Sequence, residues 1–174
     1  MKLTEIARKT IEGYIVNKEF QLDEQVKSKY SQHQACFVTL TKDNNLRGCI
    51  GSLEAHQPLW KDVQSNSIHA AFNDIRFLPL SKEELKQIKI EVSVLSVPRK
   101  LEYKNPLDLL NKINSDMGLI LTYDNSSATF LPQVWKDLPD KVQFLEHLSR
   151  KARLNKDAWK TAEFQHYTID AEKE

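Results

Sequence analysis

A chain of 174 residues suits one compact domain, or two intimately packed halves, and can bury roughly 70% of its unfolded surface. Its 40% hydrophobic and 28% charged residues are ordinary globular values, which excludes disordered, collagen-like and coiled-coil chains. With 25 basic against 24 acidic side chains the net charge is +1, so the clustered basic excess of a nucleic-acid binder is absent and no such partner is expected.

In chain order, Leu3, Ile6, Ala7, Thr10, Ile11, Tyr14 and Ile15 fall at helical spacing and predict an amphipathic helix over residues 3–16. Thr4, Glu5, Arg8 and Lys9 rule out an apolar signal core there, and no uninterrupted apolar run reaches the roughly 20 residues of a membrane span. A cytoplasmic protein with no membrane partner is the expectation. A polar stretch from Asp23 to Gln34 precedes a strand from Ala35 to Thr41, a four-residue turn Lys42 to Asn45, and a second strand from Leu46 to Gly51, together a hairpin. Pro58 opens a helix ending near Asn73, and Arg76 to Leu80 is a loop. Ser81 with Glu84 forms a capping box, and Ile88, Ile90, Val92 and Val94 alternate with polar residues as a half-buried strand that Pro98 stops.

The same order then returns. Asn105 and Pro106 open a helix through Ile113, Leu119–Tyr123 and Ala128–Leu131 flank a turn, a helix from near Pro139 buries Val142, Leu145 and Leu148, and Phe164–Ile169 is a last strand. Helix, hairpin, helix, strand, spelled twice without βαβ alternation, predicts an α+β fold with mostly antiparallel strands and two repeats, within a single domain over residues 1–174 or halves 1–97 and 98–174.

Of the four glycines, Gly48 and Gly51 bracket a cysteine in the run Leu46 Arg47 Gly48 Cys49 Ile50 Gly51. Glycines inside a strand mark a bulge or a close approach of backbone to a ligand or to other backbone. Symmetric pairing across the four-residue turn sets Val38 opposite Cys49 and Cys36 opposite Gly51, which places Arg47, Cys49 and Cys36 on one face and Phe37, Leu46 and Ile50 on the other. A guanidinium two residues from a thiol favours the thiolate, the makings of a nucleophile. Against this stands burial of Cys49 as a small hydrophobe, the commoner fate of a free cysteine. Two cysteines are too few for a disulfide scaffold and suit a reducing compartment. No phosphate-loop or dinucleotide fingerprint occurs, and Cys36, Cys49, His56 and His69 match no zinc pattern, so neither a cofactor nor a metal is assigned. Asp74 and Arg76, two residues apart, are expected to bond each other, and His69 is a weaker candidate for proton transfer.

The runs LRGCIGSLEA from Leu46, AAFNDIRFLPL from Ala70, EVSVLS from Glu91, TFLPQVW from Thr129 and FLEHLSRKARL from Phe144 resemble the AMMECR family, whose bacterial branch is called AmmeMemoRadiSam system protein A. The resemblance covers nearly the whole chain and implies a barrel-like antiparallel sheet with two repeats, the signature at a cleft, and the company of a Memo-type and a radical SAM protein in a modification pathway. It carries Arg47, Gly48, Cys49 and Gly51 as the signature, Asp74, Arg76 and Phe77 as a second block, and Leu131, Pro132 and Gln133 as a third. Arg153 stands where the family has glycine, and Met117 where it has a polar residue. The expected function is that of an enzyme or enzyme component binding a small molecule or peptide at the signature. Cys49 and Arg47 would carry the chemistry there, while Gly48, Gly51, His69, Asp74, Arg76, Phe77, Pro132 and Gln133 line the cleft. A non-catalytic adaptor using the same cleft is the alternative.

Overall fold

The computed structural model of the chain describes residues 1–174. In order, the elements are α1 (Leu3–Ile15), α2 (Glu24–Lys29), β1 (Cys36–Lys42), β2 (Asn45–Gly51), α3 (Leu59–Phe72), β3 (Ile88–Leu95), β4 (Arg99–Lys100), α4 (Pro106–Lys112), β5 (Gly118–Tyr123), β6 (Ser126–Phe130), α5 (Lys141–Lys151), β7 (Glu163–Tyr167) and β8 (Ile169–Lys173). Short 3₁₀ turns cover Glu84–Lys86, Pro132–Lys136 and Ala158–Lys160. The chain divides into two compact units, Met1–Leu95 with Asp170–Glu174, and Ser96–Ile169.

Unit 1 is a four-stranded sheet in the order β2-β1-β3-β8 with α1 and α3 on one face. Strand alternation sends Val38, Leu40, Ile90 and Val92 to that face, where they meet Ile6, Ile11, Val63 and Ala70 in a closed apolar core. β8 is tied to α1 by side chains: Glu172 accepts from the Thr4 amide at 2.9 Å, and Glu174 pairs with Arg8 at 2.6 Å.

Unit 2 has the order β4-β7-β5-β6, with a core of Leu109, Ile113, Leu121, Phe144, Leu145, Leu148 and Phe164. Trp135 stacks on Phe144 with ring centroids 3.7 Å apart and donates its indole N–H to the Met117 carbonyl at 2.9 Å. The pairing schemes match: in each unit the hairpin's second strand is an edge, its first strand pairs the strand after the second helix, and a fourth strand completes the sheet. That fourth strand is β8 for unit 1 and β4 for unit 2, each following in sequence the last strand of the other unit.

The α+β, mostly antiparallel reading with a repeated order therefore holds, with corrections. Each sheet is open, ending in unpaired edges, so neither closes as a barrel. The β1–β2 turn is two residues, Asp43 and Asn44, both at positive φ (51° and 62°), which suits the right-handed twist of a hairpin. A short helix, α2, capped by the Asp23 side chain on the Val26 amide at 2.8 Å, sits in the polar stretch from Asp23 to Gln34, for which no element was expected. Val142 is exposed, and Phe144 takes the core position beside Leu145 and Leu148.

Candidate functional site

The register of β1 and β2 decides what the signature strand presents. Thr41 pairs with Leu46, but Leu40 pairs with Gly48, so Arg47 is a bulge residue with no partner of its own. From there the register is shifted by one. Cys49 opposes Thr39, Ile50 opposes Val38, and Gly51 opposes Phe37. A one-residue slip exchanges faces. Cys36 therefore lies in the core, Cys49 lies on the opposite face, and the expected shared face of the two cysteines and Arg47 is corrected.

Gly48 looks toward α3: a Cβ there would collide with the Ala70 carbonyl, so this glycine lets a helix backbone rest on the strand. At Gly51 a Cβ would collide with the Phe37 ring. The rarity of these glycines thus reflects packing of protein against protein.

On the face away from the helices, Cys49, Thr39 and Glu91 form a row across three strands, and Phe37 and Ser93 lie beside it. The Thr39 hydroxyl is 3.2 Å from the Cys49 sulfur, and Ser93 donates to Glu91 at 3.2 Å. Burial pushes the Cys49 thiol above its ordinary value; Thr39 and the Arg76 charge oppose this without reversing it. At neutral pH Cys49 is a thiol, which corrects the expected thiolate. Cys36 is raised far more, again by burial.

The cation beside the thiol is Arg76. Asp74, buried after the end of α3, accepts the Cys49 backbone N–H at 2.9 Å and holds the Arg76 guanidinium through both oxygens, at 2.9 and 2.6 Å. Arg76 also donates to the Cys49 carbonyl at 3.3 Å and keeps 52% of its side chain exposed. That guanidinium, with the Cys49 amide, holds the Asp74 carboxyl well below the usual carboxylate range.

Arg47 is engaged elsewhere. Its guanidinium donates to both oxygens of Glu84 at 3.1 and 2.9 Å and to the Leu78 carbonyl at 2.9 Å, leaving Nη1 buried without a hydrogen-bond partner. Arg47 lowers Glu84 from its ordinary 4.5 to about 2, with the Ser81 amide and Lys42 helping. The Phe77 ring lies 5.9 Å from the Arg47 guanidinium carbon and 5.5 Å from that of Arg76.

Unit 1 thus gathers Arg47, Gly48, Cys49, Gly51, Asp74, Arg76 and Phe77 on β2 and the loop after α3. His69 is exposed on α3, where its carbonyl accepts the Asn73 N–H at 2.9 Å. Pro132 and Gln133 belong to unit 2 and open its 3₁₀ turn after β6. Sequence reasoning missed Thr39 and Glu91, visible only through the register, and the buried Asp62. Asp62, 1% exposed, accepts from the Cys36 amide, Ser52, Gln57 and Asn66 at 2.8–3.0 Å, tying α3 to the start of β1 and to the segment after β2. An acidic residue on an otherwise core-facing helical stripe was its one signal. No group of three or more His, Cys, Asp and Glu side chains is gathered as a metal site, and no helix is long and apolar enough to cross a membrane.

Two antiparallel α+β units that repeat one pairing scheme, with a bulged strand braced by an Asp–Arg clamp, define the class. The AMMECR1 family model matches residues 4–173, and the chain belongs to that family. Among its relatives, Protein NEQ441 of Nanoarchaeum equitans is 37% identical over 99% of this chain and 97% of its own length. An Aquifex aeolicus protein is 35% identical over 98% of this chain and 89% of its own. The crystal structure of an uncharacterized protein, PH0010, from Pyrococcus horikoshii superposes with a TM-score of 0.88 at 31% identity, covering 99% of this chain and 89% of that one.

Proposed function

We propose that the sheet face carrying Cys49 recognises a carboxylate- or phosphate-bearing small molecule or peptide, as an enzyme component in a modification pathway shared with Memo-type and radical SAM proteins. Arg76 holds the anionic group, and Cys49 contacts the ligand as a neutral thiol. One observation carries the reading: a single buried carboxylate, Asp74, locks the Cys49 backbone and the Arg76 guanidinium into one piece while half of the Arg76 side chain stays in solvent. The exposed part of the Arg76 side chain is where an anionic group can approach, and its guanidinium fork suits carboxylate and phosphate. The pathway rests on the family resemblance alone.

Two alkylating agents of equal size test it. Iodoacetate is anionic and iodoacetamide neutral, so the ratio of their rates at Cys49 cancels the thiolate fraction, and dividing it by the same ratio for the uncharged thiol 2-mercaptoethanol reads anion recruitment. The expected value exceeds one several-fold, falls toward one in Arg76→Gln, and falls on adding inorganic phosphate. A value at or below one in the native protein overturns the assignment. The adaptor reading is favoured by a different observation: Ile75 is 100% exposed and Leu78 83% exposed, on either side of Arg76 and Phe77. Titration calorimetry against the purified Memo-type and radical SAM proteins decides it, with binding abolished by Ile75→Ser together with Leu78→Ser if the pair is a docking knob.

A further inference from the structure

Unit 1 contains a concave site away from the signature strand. α1 ends at Ile15, Asn17 turns with φ 53°, and the Lys18 amide returns to the Gly13 carbonyl at 2.8 Å. The chain then runs as a short strap, residues 18–22, toward α2. Gln64 on α3 donates its side-chain amide to the Phe20 carbonyl at 3.0 Å and fixes the strap to the helix. Strap, α1, α2 and α3 line an open cleft of about 530 Å³. Its walls are the rings of Tyr14, Phe20 and Trp60 with Leu22 and Ile68, and Ser65 and Thr10 contribute hydroxyls.

Volume, walls and rim all point to a small molecule. The volume is within the range of drug-sized ligand sites, and an apolar aromatic lining with a few polar groups is their usual composition. Lys18, Lys27 and Lys61 line it against one acid, Glu19, and Lys27 is paired with Glu24 beside the lining at 2.8 Å, which leaves Lys18 and Lys61 as the cations open to a ligand. The Lys27 ammonium lies over the Trp60 ring at 5.7 Å, so one cation is already placed at the edge of the aromatic wall. A flat apolar body against Trp60 and Phe20, with its anionic group toward Lys18 and Lys61, satisfies both features at once. From this we infer that unit 1 binds a compact aromatic carboxylate or sulfonate between α1, α3 and the strap, independently of the site at Cys49.

The probes are 8-anilinonaphthalene-1-sulfonate and its neutral counterpart N-phenyl-1-naphthylamine, which share a ring system and differ by the sulfonate. Fluorescence titration of the folded protein should give saturable one-to-one binding of the sulfonate, about tenfold tighter than the amine, with a gap that closes in 1 M salt. Lys61 is exposed, so Lys61→Glu leaves the fold alone and should narrow the gap. Ser65→Leu fills the cleft and should abolish binding of both dyes, while Arg76→Gln should change neither. Equal affinities of the two dyes, no saturable binding, unchanged binding in both Lys61→Glu and Ser65→Leu, or loss of binding in Arg76→Gln would each overturn the inference. The last outcome would move the dye to the Cys49 face and leave that reading standing.

Discussion

Arg153 shows how one residue can depart from its family's pattern and still fold. It occupies the second position after the last residue of α5, at φ 61°, where its amide bonds the Arg150 carbonyl at 2.9 Å and the Leu154 amide bonds the Ser149 carbonyl at 3.0 Å. This is the Schellman helix end, which glycine fills without steric cost. A side chain there costs of order 1 kcal/mol. Arg153→Gly is therefore expected to stabilise the protein by about 0.5–1 kcal/mol, net of glycine's freedom in the unfolded chain, and to raise Tm by roughly 2 °C. Urea unfolding checks it, and a loss of stability would refute it. The opposite substitution belongs to Gly48, whose Cβ would meet the Ala70 carbonyl, a backbone atom that cannot swing aside. Gly48→Ala should cost about 1–3 kcal/mol. The importance of Gly48 and Gly51 was legible because glycine is scarce here, and a close approach of backbone was among the reasons expected; which atom approaches was not legible, because that is fixed only by packing in three dimensions.

At the scale of the hairpin, the strands and their order followed from alternation and turn residues, and the facing did not. Asp43 and Asn44 form the turn alone, and the bulge at Arg47 then inverts every side chain beyond it. The glycines of LRGCIG allowed a bulge without placing it at Arg47, whose guanidinium is received by Glu84, 37 residues away. The capping box Ser81–Glu84 was legible, yet its second task was hidden: the same Glu84 carboxylate takes the Ser81 amide at 3.3 Å and Arg47 at 2.9 Å. Its folded-state pKa of about 2 lies below the ordinary 4.5, so its contribution is complete above pH 4.5 and fades as pH falls toward 2. Asp74, also depressed, adds in the same direction. Glu84→Gln should cost about 1–3 kcal/mol at pH 7, and the difference from the parent should shrink markedly by pH 3. Urea titrations of both proteins at the two pH values measure this, and a difference indifferent to pH would mean that the Arg47 pair contributes nothing through charge.

For the molecule as a whole, the connection of the sheets carries the largest consequence. The repeated order was readable because each half has its own helical and alternating runs. β4 and β8 were not, since β4 is two residues long and β8, IDAEK, is an edge strand with no apolar face to betray it. Yet β8 completes the sheet of unit 1 after the chain has already passed through unit 2. Glu174 donates its amide to the Ile90 carbonyl at 3.1 Å and accepts the Ile90 amide on its side chain at 3.0 Å. Deleting residues 170–174 removes those bonds, the Arg8 pair and the Thr4 bond together, and leaves β3 as an unpaired edge. The deletion should lower stability by at least about 2 kcal/mol, whereas Glu174→Gln, which removes only the charge, should cost about 1 kcal/mol or less. Amide exchange locates the effect: protection should fall at Ile90 and along α1 while β5 and β7 keep theirs. Loss spread evenly over both units would mean that they unfold as one, and no loss at all would mean that the borrowed strand is ornamental to unit 1.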